Sequence, residues 1–294
     1  MEARPPAAAG ELGPGGSLGP YLIEEVLGEG AMGVVYRAVH RDDGGTVALK
    51  VLRQRLAASD EYRARFLREA RVAAEVEHPN LARVLEAAEI DGRYALVIGY
   101  VPGRTLAERL EAEGRLPLDD VLRLLGDLGA ALDALHDFRL VHRDVKPANV
   151  VLDATGAAVL TDFGLAKGRA YTVLTRPGQL LGTVDYLAPE VIQGAPASPA
   201  SDIYSLGCVA FACLAGRPPF TGASPFQVVT GHLGEEPPDP CAGRSDVPRD
   251  VGPAVLAALA KDPEARPPTA RGYALGVWRA AAQPPGSGSA SDQV

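Results

Sequence analysis

Sulfur and aromatic rings are scarce in this chain of 294 residues, which carries three cysteines, two methionines, one tryptophan and only 5% aromatic residues. Cys208, Cys213 and Cys241 show no metal-ligand spacing, and nothing at the N-terminus resembles a signal peptide, so the expectation is reduced thiols in a cytoplasmic protein. Positive charge is also short. With 29 Lys and Arg against 37 Asp and Glu, the net charge is −8, which excludes a basic nucleic-acid footprint. Any phosphate binding must therefore be local, built from single side chains and backbone amides. Long apolar runs are missing as well: the longest, "IYSLGCVAFACLAG" at 203–216, is too short to span a bilayer and suits a buried helix. No membrane segment is expected.

Apolar residues as a class are plentiful, at 47%, enough for a sizeable core. The length fits one large domain or two lobes. Residues 1–20 are rich in Ala, Pro and Gly without periodicity and read as a disordered lead. "YLIEEVLGEG", "GVVYRAVH" and "TVALKVL" read as strands, with the turn "RDDGG" before the third. A helix should start at Ser59, an N-cap followed by an acidic first turn, and end before His78-Pro79. Two more strands near "ARVLEAA" and "RYALVIGY" complete a small β-rich unit with one main helix. From "TLAERL" to about Trp278 the pattern is mostly helical, and the tail "QPPGSGSASDQV", 283–294, reads as flexible.

In "GEGAMGVV", Gly28, Gly30 and Gly33 have the spacing that lets backbone amides close on a phosphate without Cβ obstruction. A tight hairpin needs glycine too, so the signal is weak alone. A dinucleotide fold would require a helix next; the β-branched continuation predicts a strand instead. In "VALKVL" the strand period puts Val47, Leu49 and Val51 on one face and Ala48, Lys50 and Leu52 on the other. A strand lysine is either at a sheet edge with its ammonium in water or a buried cation with a partner. The following helix offers one: Tyr62, Phe66, Ala73 and Val76 form an apolar stripe at helical spacing, and Glu69 falls within it.

"HRDVKPANV", 142–150, places His142, Arg143, Asp144, Lys146 and Asn149 between two apolar runs. Beyond it, "VVLDATGAAVLTDFG" reads as a hairpin. Folded symmetrically about Thr155–Gly156, it sets Asn149 opposite Asp162 at its open end. An amide oxygen and a carboxylate together suit Mg²⁺, a hard cation that takes oxygen ligands. Asp144 could accept a proton from an attacking hydroxyl, and Lys146 could reach a phosphate oxygen. A capped loop with an ordinary hairpin would explain Asn149 but give Asp144 and Lys146 no purpose. Flap, lysine, helix glutamate, proton acceptor and metal pair together describe phosphoryl transfer from a nucleotide, a reaction driven by positioning and charge neutralisation.

At this point the sequence resembles the protein kinase family, specifically the bacterial Ser/Thr protein kinases of eukaryotic type. The likeness runs from about Tyr21 to Trp278, through "GEGAMGVVY", "VALK", Glu69, "HPN", "HRDVKPANV", "DFG", "GTVDYLAPE", "SDIYSLG" and "DPEARP" in family order. It implies an α+β, bilobal fold: an antiparallel N-lobe with one main helix (about 21–98), a hinge (99–102) and a larger, mainly helical C-lobe (103–282). The implied ligands are ATP and Mg²⁺, with Mn²⁺ as a substitute. Lys50 would hold the α/β-phosphates and pair with Glu69; Asp144 would be the base and Lys146 would steady the transferred group; Asn149 and Asp162 would bind the metal. Leu27, Val35, Ala48 and Val151 would enclose adenine, with Ile98 at the gatekeeper position and Gly99, Tyr100 and Val101 supplying hinge contacts. Gly99 departs from the acidic residue common there. Glu190 would pair with Arg266, and Asp202 would brace the catalytic loop.

The resemblance further implies protein substrates with Ser or Thr acceptors, and activation by autophosphorylation, with a homodimer as its vehicle. Thr175 is the expected site and Thr172 the secondary one, with Arg143, expected buried and in need of an anion, as the phosphate's partner. Two other classes compete. A binding module that lost chemistry would lack the lysine, base or metal ligand, and none is missing. A small-molecule phosphotransferase would not need the "GTVDYLAPE" segment, which builds a peptide shelf. Membrane association is expected only if the natural chain extends past 294.

Overall fold

The computed structural model describes residues 12–30, 32–162 and 184–283. The chain divides into two compact units, one of Met1–His78 with Ala82–Val101, the other of Pro79–Leu81 with Pro102–Val294.

The first unit is built on strands β1 (Ser17–Leu18), β2 (Tyr21–Glu29), β3 (Gly33–His40) and β4 (Thr46–Leu52), helices α1 (Gln54–Ala57) and α2 (Asp60–Ala74), and strands β5 (Val84–Ile90) and β6 (Arg93–Gly99). Its sheet runs β1-β2-β3-β4-β6-β5, with every neighbouring pair antiparallel. Alternation does the sorting: Val34, Tyr36, Val47, Leu49, Val51, Ala95 and Val97 all bury on one face, as the strand period of two requires. Burying each large apolar side chain of this kind is worth about 1.5–3 kcal/mol. Residues 1–11 of the disordered lead expected up to Pro20 lie outside the described residues, and the remainder departs from that expectation. Leu18 is 1% exposed within the same core and β1 pairs with β2, so Ser17–Leu18 belongs to the sheet, and Leu12 packs against its core. The apolar Leu18 and Leu12 were hidden in a Gly- and Pro-rich composition.

Helix α2 begins where Ser59 predicts it, with the Ser59 hydroxyl accepting the Tyr62 N–H and Asp60 and Glu61 in the first turn. Phe66, Ala70 and Ala73 form its buried stripe.

The second unit contains β7 (Arg104–Thr105), α3 (Leu106–Glu113), α4 (Leu118–Asp137), β8 (Val150–Leu152), β9 (Ala158–Leu160), α5 (Pro189–Ile192), α6 (Pro199–Ala215), α7 (Pro225–Gly234), α8 (Val251–Leu256) and α9 (Ala270–Ala282). The apolar run singled out in the sequence is α6. It is buried all round from Ser201 to Leu214, capped by a reciprocal Ser198–Ser201 box and stopped by Gly216 in the left-handed region. Strands β7, β8 and β9 form a small antiparallel sheet. Pro79–Leu81 joins this unit although its neighbours on both sides belong to the other: Leu160 N–H donates to Asn80 O (2.8 Å), Asn80 Nδ2 donates to Ala158 O (2.9 Å), and Leu81 bridges Leu160 in parallel. Among the described residues no helix is long and apolar enough to cross a membrane.

Candidate functional site

In the first unit, the register puts Val35 beside Lys50, and Ala48 beside Ile98. Partners and alternate residues share a face, so Val35, Ala48, Lys50 and Ile98 all lie on the sheet face opposite the packed core. β4 is an interior strand and Lys50 is 7% exposed, so the sheet-edge reading of this lysine fails. Glu69 is half-buried on the α2 face that carries Phe66, Ala70 and Ala73. The hinge residues follow β6: Gly99 N–H donates to Arg83 O (2.8 Å), and the Arg37 guanidinium sits 5.9 Å from the Tyr100 ring centre. Val101 is half-buried.

The three flap glycines differ. A Cβ on Gly33 would lie 2.1 Å from Val51 O, so this glycine is demanded by the close approach of β3 to β4. A Cβ on Gly28 would meet nothing within 4 Å. Gly30 closes the turn onto Gly33 O (2.9 Å), and its own carbonyl accepts from Arg53 Nε at 3.1 Å. Leu27, next to Gly28, is 43% exposed.

In the second unit, the hairpin forms but its register differs by one residue from the symmetric expectation. Val150 pairs with Leu160 and Leu152 with Ala158. The Asp153 carboxylate accepts the N–H groups of Thr155 (2.8 Å) and Ala157 (3.0 Å), and Gly156 takes φ 82°. This makes a loop centred on Thr155 rather than between Thr155 and Gly156. Thr161 therefore faces Asn149, donating its N–H to Asn149 O (2.8 Å), and Asp162 stands one residue further along, where φ 57° turns the chain.

The loop before β8 is organised by one carboxylate. Asp202, on α6 and 1% exposed, accepts the backbone N–H of His142 (2.7 Å) and of Arg143 (2.9 Å) and bonds His136 Nε2 (2.9 Å). Arg143 has φ 66°, a strained value for a side-chain-bearing residue; the bond to Asp202 holds it there. This arginine is half-buried, less enclosed than the sequence suggested. His142 is fully enclosed, at 1% exposure. Its Nδ1 accepts the Asp144 N–H (3.3 Å), so Nε2 carries the proton and donates to Thr161 O (3.1 Å). Burial pushes the His142 pKa below its ordinary value, outweighing the pull of nearby Asp202 and Asp144. The ring is a neutral spacer between the loop and the hairpin mouth.

Asp144 is then presented with its neighbours in bonding contact. Asn149 Nδ2 donates to Asp144 O (2.8 Å) and Oδ2 (3.0 Å), and Lys146 Nζ lies 3.1 Å from Oδ2. Because both amide hydrogens of Asn149 go to Asp144, its Oδ1 is the atom left to bind a cation. An amide oxygen and the carboxylate of Asp162, one residue beyond Thr161, are hard donors of the kind that could hold Mg²⁺ together with waters and substrate oxygens. Among the described residues no cage of three or more His, Cys, Asp or Glu side chains exists.

Glu190 and Arg266 pair as expected, in a two-pronged bond of 2.7 and 2.8 Å. Val151, in β8, is half-buried. His136 and Thr161 escaped sequence reasoning. His136 sits in the last turn of an ordinary amphipathic helix, and Thr161 acts through its backbone carbonyl and its hydroxyl, which donates to Asn149 O (3.1 Å); no local spacing reports either set of bonds. Thr172 and Thr175 lie outside the described residues.

Comparison with known proteins follows the same lines. The family model "Protein kinase domain" matches residues 21–270. The chain is 39% identical over 252 residues to serine/threonine-protein kinase PrkC of Bacillus subtilis (86% of this chain, 39% of that one). It is 38% identical over 259 residues to serine/threonine-protein kinase PknB of Mycobacterium leprae (85% and 41%). It thus spans about two-fifths of the length of these curated relatives. Among solved structures, the Mycobacterium tuberculosis PknI kinase domain superposes with a TM-score of 0.72 at 33% identity, covering 92% of this chain and all of that one.

Proposed function

The chain belongs to the protein kinase domain family, and from that premise we propose that it is an active, ATP- and Mg²⁺-dependent protein kinase that phosphorylates Ser and Thr. The observation that carries this reading is the Asp144–Lys146–Asn149 cluster, on a loop held by Asp202. A module that had lost its chemistry would have no need to keep a left-handed arginine and three acceptor bonds for the sake of one loop.

In this reading Asp144 orients the substrate hydroxyl and accepts its proton as the oxygen attacks the γ-phosphorus; the bond to the bridging oxygen breaks and ADP leaves. Lys146 holds a non-bridging oxygen of the transferred group. Lys50 holds the α/β-phosphates, kept in place by Glu69. Leu27, Val35, Ala48, Ile98 and Val151 line the adenine site, with Gly28, Gly30 and Gly33 over the phosphates and the backbone of Gly99–Val101 bonding the base. Asn149 Oδ1 and Asp162 would hold Mg²⁺ (or Mn²⁺), which would supply charge neutralisation at the phosphate oxygens. Thr175, then Thr172, are autophosphorylation sites whose phosphate bonds Arg143, reached between two copies of the chain in the cytoplasm.

Labelled-phosphate transfer from ATP to a protein acceptor tests the core of this. Wild type should transfer, while Asp144→Asn should not, although its melting curve stays intact. Equal activity in the two would remove Asp144 as the base. Mass spectrometry after incubation with Mg-ATP should find phosphate on Thr175 in wild type alone.

A further inference from the structure

The turn after α6 and the segment after α7 border an open pocket of about 430 Å³ that the phosphoryl-transfer site does not use. Pro219, Phe220 and Gln227 line it from the turn and the first part of α7; Glu235, Glu236 and Pro238 line it from the segment beyond. Its size is at the small end of the roughly 300–1,000 Å³ found for ligand sites, room for one long side chain.

The walls are fixed before anything binds. Phe220 is 5% exposed, with His232 edge-on to its ring at 4.9 Å and Lys261 Nζ 4.4 Å from its centre. A Cβ on Gly231 would lie 2.7 Å from that ring, so α7 is seated directly on Phe220. Gln227 is held by its Oε1, which accepts the Ala223 N–H at 2.7 Å. Lys261 is occupied too, donating to the carbonyls of Gly231 and His232 at 2.9 Å each.

The carboxylates are different. Glu235 and Glu236 are exposed, and neither makes a side-chain hydrogen bond or ion pair with a described residue. Lys261 is the nearby cation that feels both of them, and its burial and its two carbonyl bonds hold it inside the fold. One cation facing two carboxylates leaves the pocket negative. Phe220 and Pro219 are buried, so the surface open beside the carboxylate pair is mostly polar, with exposed Pro238 as its apolar part; this suits a group with a short apolar contact and a flat, weakly hydrated charged head. That is a guanidinium more than an ammonium. Phe226, 76% exposed on the adjoining turn of α7, offers apolar ground for whatever flanks it.

We propose that this pocket docks an arginine side chain of the protein substrate, away from the residue being phosphorylated. That the arginine's owner is a substrate rests on the kinase reading; the affinity for guanidinium does not.

Two measurements separate these. Amide chemical shifts are followed during titration with N-acetyl-argininamide, N-acetyl-lysinamide and N-acetyl-glutaminamide. The first should give saturable shifts at Gln227, Glu235 and Glu236, the second weaker ones and the third none, and Glu235→Gln/Glu236→Gln should abolish them. In steady-state assays, two peptides share one Ser-containing acceptor sequence, and one carries an arginine-rich extension. For the extended peptide the double variant should raise KM about three- to tenfold, the range for losing two exposed ion pairs, with kcat unchanged. The plain peptide should respond equally to both proteins.

Absence of saturable shifts with N-acetyl-argininamide in wild type overturns the site. Saturable shifts with an unchanged KM in the variant overturn substrate docking. If wild type phosphorylates neither peptide while N-acetyl-argininamide still binds, the kinase reading falls, substrate docking falls with it, and the guanidinium site stands.

Discussion

Replacing Asp202 with asparagine tests how the catalytic loop is held, because it keeps the shape and removes one acceptor. Oδ2 of Asp202 serves two donors, the His142 N–H and His136 Nε2, while Oδ1 serves only the Arg143 N–H. Asparagine will keep its oxygen where two donors converge and turn its NH₂ toward Arg143. A buried amide hydrogen then faces another donor at a residue whose φ of 66° is already unfavourable. Losing one charge-assisted bond and stranding a buried N–H costs about 2–4 kcal/mol. For a domain of this size the Tm should fall by roughly 5–10 °C. Since the Arg143 N–H adjoins Asp144, kcat should fall further than the affinity for nucleotide does. Asp202→Ala strands both backbone donors and should be the worse variant on every count. Thermal melts and steady-state kinetics measure this directly. A Tm within about 1 °C of wild type, with kcat retained, would show that the loop keeps its geometry without Asp202.

Three further perturbations have outcomes of their own. Lys50→Met should abolish phosphoryl transfer with the fold intact, since methionine suits a position 7% exposed; residual transfer near wild type would remove Lys50 from the phosphate site. Asp162→Ala should erase most of the Mg²⁺-dependent part of the stabilisation by nucleotide, read as a Tm shift that grows with the logarithm of ligand concentration; an unchanged metal response would put the ion elsewhere. Burial lowers the His232 pKa to about 4, so the unfolded chain binds the extra proton first. Stability should decline as pH falls from about 6.5 toward 4, approaching about 1.4 kcal/mol per pH unit. Urea melts of His232→Gln across that range should be flatter than wild type, and parallel curves would refute the assignment.

Much of this molecule was legible because its signals are local. Ser59 and the acidic turn behind it announce α2, alternation announces β4, with Lys50 turned inward only once Glu69 is weighed with it, and a run apolar all round announces α6. What stayed hidden depends on partners far away in sequence. Asp202 sits 60 residues from the His142 amide it binds, and no periodicity reports such a bond. The hairpin shows a subtler limit: its existence follows from two apolar runs and a glycine, but its register turns on one Asp153 carboxylate folding back on Thr155 and Ala157. That single contact moved Thr161, in place of Asp162, to the position facing Asn149. The packing demand at Gly33 was hidden for a similar reason, since a glycine required by a neighbouring carbonyl looks in sequence like one required by a phosphate.

The excursion at Pro79–Leu81 means that no single scission of the polypeptide yields two self-sufficient halves. Cutting after Val101 would leave the N-terminal fragment carrying Asn80, whose carbonyl and amide belong to the hairpin strand of the other piece. The C-terminal fragment would expose the β9 backbone that Asn80 and Leu81 had satisfied. Each piece would hold what the other lacks, so the fragments are natural candidates for split-protein complementation, with a reporter signal that depends on Asn80.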